Sequence, residues 1–448
     1  MATANILQQV QTYQPSALAY FENLNCLVGT ANSKFKDFEN ITTNLGSTVN
    51  MELIYRFTSS AGLVAIDQAI TQRVHSLVVD QAANTSMVVT NPDQIFNLDK
   101  DAYMEKIGKA AMIALGARVE GSLALNANSH VPVMIIDPSD PSQWIPSGAL
   151  HVESGPIRFY GDGVTAINSY QQLQQSVENF MELGHPGAGM KMYMPNSVVP
   201  AIIGSGLNQF VPKRNEETAQ SWEIGVFGTP EVRYYKSNML PVHTAGTVGN
   251  TVGAGNYLTV VSTNDPTGVN VTQITCSSPI TTDSQAIKSG DLGVFVATTN
   301  YATPKAMTRS GQVVTSQPVQ IRIIADAGTS GGSITITLVA DDESKGLCWA
   351  STANQNCSVP IVAGMRIQVM PTHRCGLMVS DNALFLAMPR LPDQNPFITH
   401  AEYDTDTGVS LRLAYGSLLG QNKQRLVHDC IWASTLIPTY SQRILFPV

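Results

Sequence analysis

The residues that could carry chemistry are scattered along this chain, and none of them forms a recognisable catalytic motif. His428, Asp429 and Cys430 are consecutive, but adjacent residues on a strand point to opposite faces, so they do not predict one reactive group. The glycines of Gly249–Gly255 are not followed by the Lys-Ser/Thr pair of a phosphate loop, and they predict a flexible domain linker. Gly204-Ser205-Gly206 lacks the spacing of a nucleophile elbow.

Metal-binding patterns are equally weak. The acidic clusters Asp341-Asp342-Glu343 and Asp404-Thr405-Asp406 do not have the spacing of a calcium loop, and they favour solvated turns. No two of the six cysteines have the spacing of a zinc knuckle, so free buried thiols are expected, with a Cys348–Cys357 bridge as the minority alternative. We therefore predict no catalytic residue, no cofactor and no metal.

The composition limits the kinds of partner that this chain can have. Only 13% of its 448 residues are charged, and the net charge is −8. Scattered basic residues in an acidic chain argue against a surface that grips nucleic acid. The low charge fits either a neutral polar surface or a surface covered by other subunits, where charge is depleted. No apolar run reaches the length of a membrane span, and the N-terminus does not resemble a signal peptide.

The helical and extended segments that frame the chain can be read from periodicity. Residues 99–127 form the clearest helix, with an apolar stripe and many Gly and Ala residues that suit close packing. A second helix follows Ser169, which forms a capping box with Gln172. The segment Val49–Val89 predicts a long two-stranded excursion that is too poor in core to be stable alone.

The middle of the chain has a different residue pattern from both flanking segments. Between about Gly246 and Cys375, Val/Ile/Thr runs alternate with Gly, Pro, Asn and Asp turns, which predicts five or six short strands in a small barrel or sandwich. The mixed α/β pattern resumes afterwards, and the apolar end Ile444–Val448 predicts docking onto the body. The pattern indicates a β domain inserted into a mixed domain.

In this order, the elements resemble the major coat proteins of tailed bacteriophages, which share the Hong Kong 97-type capsid fold. The chain is most similar to the branch, typified by phage P-twenty-two, that carries an extra insertion domain. The local matches are Met192–Asn196, Tyr235–Val242, Lys288–Asp291, Val379–Leu384 and Ser410–Gly416. The resemblance implies an α+β chain with an N-arm, an E-loop, a spine helix, peripheral and axial domains, and an inserted all-β barrel-like domain.

The resemblance also implies a division of the chain. The expected parts are an N-terminal arm at 1–50, the E-loop at 51–80, a peripheral domain at 81–130 with the spine helix at 99–127, the first part of the axial domain at 131–246, the inserted β domain at 247–376, and the axial return with closing peripheral strands at 377–448.

A structural, non-enzymatic role as a virion capsid subunit follows from the resemblance. The implied partners are the protein itself in hexamers and pentamers, a scaffolding protein and a portal during assembly in the bacterial cytoplasm, and double-stranded DNA enclosed without sequence-specific binding; no membrane is implied. The candidate inter-subunit contacts are Ile54, Arg56, Phe57, Asp67, Arg73, Asp265 and Phe446.

Two features depart from the family pattern. The loop Asn264–Gly268 is short and carries only Asp265 as a charge, which argues against an ionic clasp at two-fold positions. The N-arm has only Glu22 as a charge before Lys34, which argues against a charged scaffold-docking site. Two alternatives remain: an encapsulin-like compartment shell, and a β-rich enzyme with an unrecognised site.

Overall fold

The computed structural model describes most of the chain in separate stretches. The described residues are 26–33, 48–52, 74–79, 81–90, 100–125, 134–136, 144–146, 155–184, 189–204, 227–228, 232–251, 257–308, 311–340, 346–350, 355–391, 398–403, 408–417 and 423–448.

Strands dominate the described residues. The helices are α1 (Cys26–Thr30), α2 (Lys100–Leu125), α3 (Tyr170–Glu182), α4 (Val199–Gly204) and α5 (Thr247–Asn250). The strands before the β-rich block are β1 (Thr48–Glu52), β2 (Val74–Val78), β3 (Gln81–Thr90), β4 (Met134–Ile136), β5 (Trp144–Pro146), β6 (Arg158–Tyr160), β7 (Met190–Pro195), β8 (Phe227–Gly228), β9 (Val232–Ser237) and β10 (Val242–His243).

The remaining strands cover the β-rich block and the return of the chain. Those of the block are β11 (Tyr257–Thr263), β12 (Gln273–Ser277), β13 (Thr282–Ile287), β14 (Leu292–Val296), β15 (Lys305–Met307), β16 (Val313–Pro318), β17 (Gln320–Ile323), β18 (Ala327–Ser330), β19 (Ser333–Val339) and β20 (Arg366–Val369). Those of the return are β21 (His373–Val379), β22 (Leu384–Ala387), β23 (Ile398–Tyr403), β24 (Ser410–Ser417), β25 (Lys423–Leu436) and β26 (Ser441–Phe446).

A central mixed sheet joins distant parts of the sequence. Its strand order is β6-β26-β21-β7-β9-β8, with β10 paired to β21. Helix α3 packs on one face through Leu173, Val177 and Phe180, which lie at helical spacing and are buried. The predicted capping box at its start is confirmed, because Ser169 and Gln172 exchange both hydrogen bonds. We call this sheet with α3 the host domain.

A second layer is organised by the long helix α2. The predicted helix is confirmed, and its buried stripe includes Leu115, Val119 and Leu123. The helix shares its core with a five-stranded sheet of order β22-β25-β24-β23, in which β3 also pairs with β25. Fully buried Trp432 on β25 donates from Nε1 to Ser122 Oγ at 2.8 Å, which fixes the helix against the strand.

The predicted two-stranded excursion is present at its base. Strands β1 and β2 pair antiparallel, with Thr48 opposite Val78 and Glu52 opposite Val74. The intervening residues 53–73 lie outside the described part of the chain.

The β-rich block contains a closed barrel. Strands β12, β11, β20, β14, β17 and β19 pair in that order, and β19 pairs back to β12. Every pairing in the ring is antiparallel. The interior is filled by alternate aliphatic residues such as Leu258, Ile274, Ile321, Ile336 and Ile367. Closure removes the exposed edges of these strands, which explains how a small β unit can be stable inside another domain.

The Gly-rich connection into the barrel is not a flexible linker where it is described, and that prediction was wrong. Thr247–Asn250 forms a helical turn, and Val248 lies in the barrel core. A Cβ on Gly246 would lie 2.4 Å from the Ala286 carbonyl oxygen, and one on Gly249 would lie 2.5 Å from that of Met370. These glycines permit close backbone contact between segments.

Among the described helices, none is long and apolar enough to cross a membrane.

We expect residues 245–371, expressed alone, to fold as an autonomous β unit, because the barrel closes on itself around its own core. Circular dichroism should show a β-type spectrum and a cooperative thermal transition. A fragment of residues 155–251, which ends at the barrel, serves as a control, because it lacks β21 and β26 and should not fold cooperatively. A disordered barrel fragment would contradict the domain assignment.

Candidate functional site at the barrel junction

The chain leaves the host domain and returns to it on neighbouring strands. Strand β10 pairs antiparallel with β21, and His243 lies opposite His373. Because β21 belongs to the host sheet, the barrel ends at β20 and the outgoing crossing lies at Met370–Thr372. The two crossings therefore form one short stalk.

A buried histidine–carboxylate hydrogen bond joins this stalk to the barrel. Nε2 of His243 lies 2.7 Å from Oδ1 of Asp291, which is fully buried. The other carboxylate oxygen of Asp291 accepts hydrogen bonds from the backbone N–H groups of Gly246 (3.2 Å) and Lys288 (2.8 Å). An ionised carboxylate only accepts, so Nε2 of His243 carries the proton. The predicted turn Lys288–Asp291 thus places Asp291 where it fixes the incoming chain.

Two fully buried arginines extend the junction. Arg443 on β26 donates to the Gly290 carbonyl at 3.4 Å, and Arg322 on β17 donates to the Gly155 carbonyl at 2.5 Å. Arg443 donates from the host domain to the barrel, and Arg322 donates from the barrel to the host domain. Leaving these buried donors without an acceptor would cost free energy, so the geometry favours one docking position of the barrel.

Side-chain amides and apolar contacts complete the docking. The Gln320 amide accepts from the Phe159 N–H at 3.0 Å and donates to the Phe159 carbonyl at 2.8 Å, so it pairs with the outer edge of β6 as a strand would. Leu292 and Met370 of the barrel pack with Phe159 and Leu445 of the host sheet. The barrel is therefore held by a mixed polar and apolar interface.

Histidine ionisation in this region is suppressed by burial. Burial lowers the pKa of His373 to about 3, with the positive charge of Arg443 acting in the same direction. The pKa of His243 is also lowered, chiefly by burial, against the opposing effect of the hydrogen bond that it donates to Asp291. On β25, burial lowers the pKa of His428 to about 4. These histidines are neutral at pH 7.

We expect the free energy of unfolding to fall as the pH drops from about 6.5 towards 4. The unfolded histidines bind protons near pH 6.5, whereas His373 and His428 in the folded protein resist protonation to about pH 3 and 4. The unfolded state then binds more protons, at a cost of up to about 1.4 kcal/mol per pH unit for each histidine. Chemical denaturation at stepped pH measures the slope. His373→Gln should reduce the dependence of the free energy of unfolding on pH. An unchanged slope would contradict the assignment of this dependence to the buried histidines.

The consecutive residues His428, Asp429 and Cys430 do not form a reactive group. Asp429 makes an ion pair with Arg412, its register partner on β24. His428 and Cys430 are buried, and burial raises the pKa of the Cys430 thiol. The predicted free buried thiols are confirmed at Cys276, Cys348, Cys357, Cys375 and Cys430. Within the described stretches, no group of His, Cys, Asp or Glu could hold a metal ion.

Five of the seven candidate contact residues lie outside the described part of the chain, namely Ile54, Arg56, Phe57, Asp67 and Arg73. Asp265 is half-buried, and its carboxylate accepts hydrogen bonds from its own loop at Thr267, Val269 and Asn270, which lowers its pKa to about 2. Phe446 is fully buried in the core beneath α3, so its side chain is not on the surface. The structure therefore corrects the interpretation of Phe446 as a contact.

Sequence reasoning missed a buried carboxylate that holds part of the predicted N-arm. Glu120, on α2, accepts from the Leu27 N–H at 3.0 Å and the Val28 N–H at 3.2 Å, so it caps helix α1 from a distant part of the chain. At the other end of α1, Lys191 Nζ donates to the Thr30 carbonyl at 2.8 Å. Residues 26–33 are thus docked on their own subunit. A carboxylate within an otherwise apolar helix stripe was the available signal.

Glu120→Ala should release residues 26–33 from α2, because it leaves two buried N–H groups without the charged acceptor that they now have. We expect a loss of about 2–4 kcal/mol in the free energy of unfolding. Hydrogen exchange at Leu27 and Val28 should rise at the same time. Glu178→Ala, at an exposed position of α3, is the matched control. Unchanged exchange at residues 27 and 28 would contradict the capping role.

Solved structures of phage capsids resemble this chain at low similarity. The Cyanophage Pam1 capsid asymmetric unit is 9% identical at a TM-score of 0.42, covering 92% of this chain and 87% of that one. The capsid of Ralstonia phage GP4 is 7% identical at a TM-score of 0.42, covering 94% and 87%. A structure from Mycobacterium phage Che8 is 9% identical at 0.40, covering 94% and 90%.

No family model matches the chain, and no curated protein matches it. TM-scores of 0.42 and below are too low for these likenesses to carry the argument for a function.

Proposed function

We propose that this chain is the major capsid protein of a tailed double-stranded DNA bacteriophage. In this proposal it is a structural, non-enzymatic subunit with a Hong Kong 97-type fold and an inserted barrel. It assembles with itself into hexamers and pentamers of an icosahedral shell in the bacterial cytoplasm, with scaffolding and portal proteins as assembly partners.

The observation that carries the proposal is the closed barrel inserted between β10 and β21. Its two crossings lie on adjacent strands of the host sheet, so the host domain is continuous without it. The described part of the chain also contains, in chain order, the two-stranded pair β1–β2, the 26-residue helix α2, and a mixed sheet that includes the C-terminal strand β26. The resemblance noted in the sequence specifies this order of parts.

Two further observations support a shell subunit. Two buried thiols resist ionisation, since burial raises the pKa of Cys276 and of Cys357 to about 12. The excursion has as its base the separate two-stranded sheet β1–β2, which is anchored to the body through Leu77. A pair of this kind gains stability from a surface outside itself, which a neighbouring subunit would supply.

Velocity sedimentation of the expressed protein, alone and with its candidate scaffolding protein, tests this proposal. A shell subunit should yield closed particles that sediment far ahead of a 48.1 kDa monomer. Protein that remains monomeric or dimeric under all assembly conditions would contradict the proposal. Small particles of uniform size that lack DNA would favour a compartment shell instead.

A further inference from the structure

A polar cleft of about 290 Å³ lies where three parts of the molecule meet. One wall is β6, the edge strand of the host sheet. The second is the C-terminal end of α3 at Asn179 and Leu183. The third is the β-rich block, through Val294 of the barrel strand β14 and residues 316–318 of β16. We call this the junction cleft. Its volume is at the small end of the range for ligand sites, so it suits one side chain with its adjoining peptide groups.

Two buried polar side chains in the junction cleft have donors or acceptors without a hydrogen-bond partner in the described chain. Arg158 is only 7% exposed, and it has no hydrogen-bond or ion-pair partner among the described residues. Gln442 is 3% exposed, and within the described chain its Oε1 has no donor. Strands β6 and β26 pair in parallel with Arg158 opposite Gln442, so the two side chains leave the sheet on the same face.

Such a pair needs a ligand that offers both an anion and a donor. A guanidinium has only donors and matches a carboxylate best, whereas an amide oxygen requires an N–H or O–H. Several other polar groups of the cleft are already engaged. Gln320 pairs with Phe159, Gln317 donates to the Asn179 carbonyl, and the Asp162 carboxylate accepts from Val164 and Thr165.

The charge of the site restricts the class of ligand further. Arg158 is the only basic residue that lines the cleft within the described chain, so the site matches a single negative charge rather than a polyphosphate. An Asp or Glu residue in an extended peptide carries one carboxylate with an N–H group at close spacing.

We infer that the junction cleft binds an acidic peptide segment, with Arg158 holding an Asp or Glu carboxylate and Gln442 Oε1 accepting a peptide N–H. Because the walls come from both the barrel and the host domain, an occupied cleft ties the two together. This inference does not depend on shell assembly and can be tested on the soluble subunit.

The test is isothermal titration of the full-length protein with two blocked tripeptides, acetyl-Gly-Glu-Gly-amide and acetyl-Gly-Gln-Gly-amide. We expect the Glu peptide to bind at least about tenfold more tightly than the Gln peptide, because only the carboxylate forms a charge-assisted pair with Arg158. Equal affinities would overturn the inference. Inorganic phosphate is titrated as a third probe, and phosphate binding as tight as that of the Glu peptide would show a simple anion site.

Variants separate the cleft from the rest of the surface. Arg158→Gln should remove the preference for the Glu peptide. Gln442→Glu should abolish binding of the Glu peptide, because it places a competing carboxylate beside Arg158. Arg233→Gln, at an exposed position of β9, should leave both affinities unchanged. If Arg158→Gln does not fold, Arg158→Lys retains the charge and should keep the preference; preference retained in Gln442→Glu would overturn the inference.

Discussion

Asp291→Ala is expected to lower the melting temperature of the subunit by roughly 5–15 °C. The carboxylate is fully buried, accepts from two backbone N–H groups and pairs with His243. Removing the carboxylate leaves these donors without an acceptor, beside the buried charge of Arg443. The loss costs about 3–5 kcal/mol of the free energy of unfolding. Differential scanning calorimetry measures the shift, and the transition that includes the barrel should move most.

Asp283→Ala is the matched control for this prediction, because Asp283 lies on β13 of the same β-rich block but is only half-buried. It should shift the melting temperature by no more than a few degrees. The double variant His243→Ala/Asp291→Ala should be less unstable than the two single effects added together, because the residues share one interaction. Additive effects, or an unshifted Asp291→Ala, would show that the His243–Asp291 hydrogen bond does not hold the barrel.

Ile54→Asp is expected to abolish assembly while leaving the subunit soluble and folded. Ile54 follows β1 in the excursion whose base pairs as two strands, and the proposed function places this excursion on a neighbouring subunit. A buried unpaired carboxylate at such a contact costs several kcal/mol, and the cost is repeated at every copy of the interface. Sedimentation should show only slow species, whereas circular dichroism should match the wild type.

Val164→Asp is the control for the assembly prediction. Val164 is 71% exposed in the loop before α3, and a charge there does not alter the excursion. Its particles should sediment as the wild type does. Normal particles from Ile54→Asp would show that the excursion does not bridge subunits.

Local rules recovered much of the fold. The helix at Lys100–Leu125, the capping box at Ser169 and the buried strand Met190–Pro195 follow from periodicity and capping, which act over a few residues. The β-rich character of the block also follows from composition and turn residues. The ring closure between β12 and β19 does not, because the pairing of strands 60 residues apart leaves no local signal.

The candidate site was harder to predict than the fold. His243 and Asp291 are 48 residues apart, and only the fold brings them together. Gly246 and Gly249 were interpreted as a flexible linker, since glycine marks both mobile chain and close backbone contact. Glu120 is a comparable case, because a lone carboxylate in a helix is usually on the solvent face and its partners at Leu27 and Val28 lie far away in sequence.

Cryo-electron microscopy of particles formed by the expressed chain tests the central claim most directly. The account predicts closed icosahedral shells built from hexamers and pentamers, with one compact β-barrel per subunit joined to the shell through the β10–β21 stalk. A sample that contains only monomers or irregular aggregates under assembly conditions, or shells whose subunits lack a separate barrel, would contradict it.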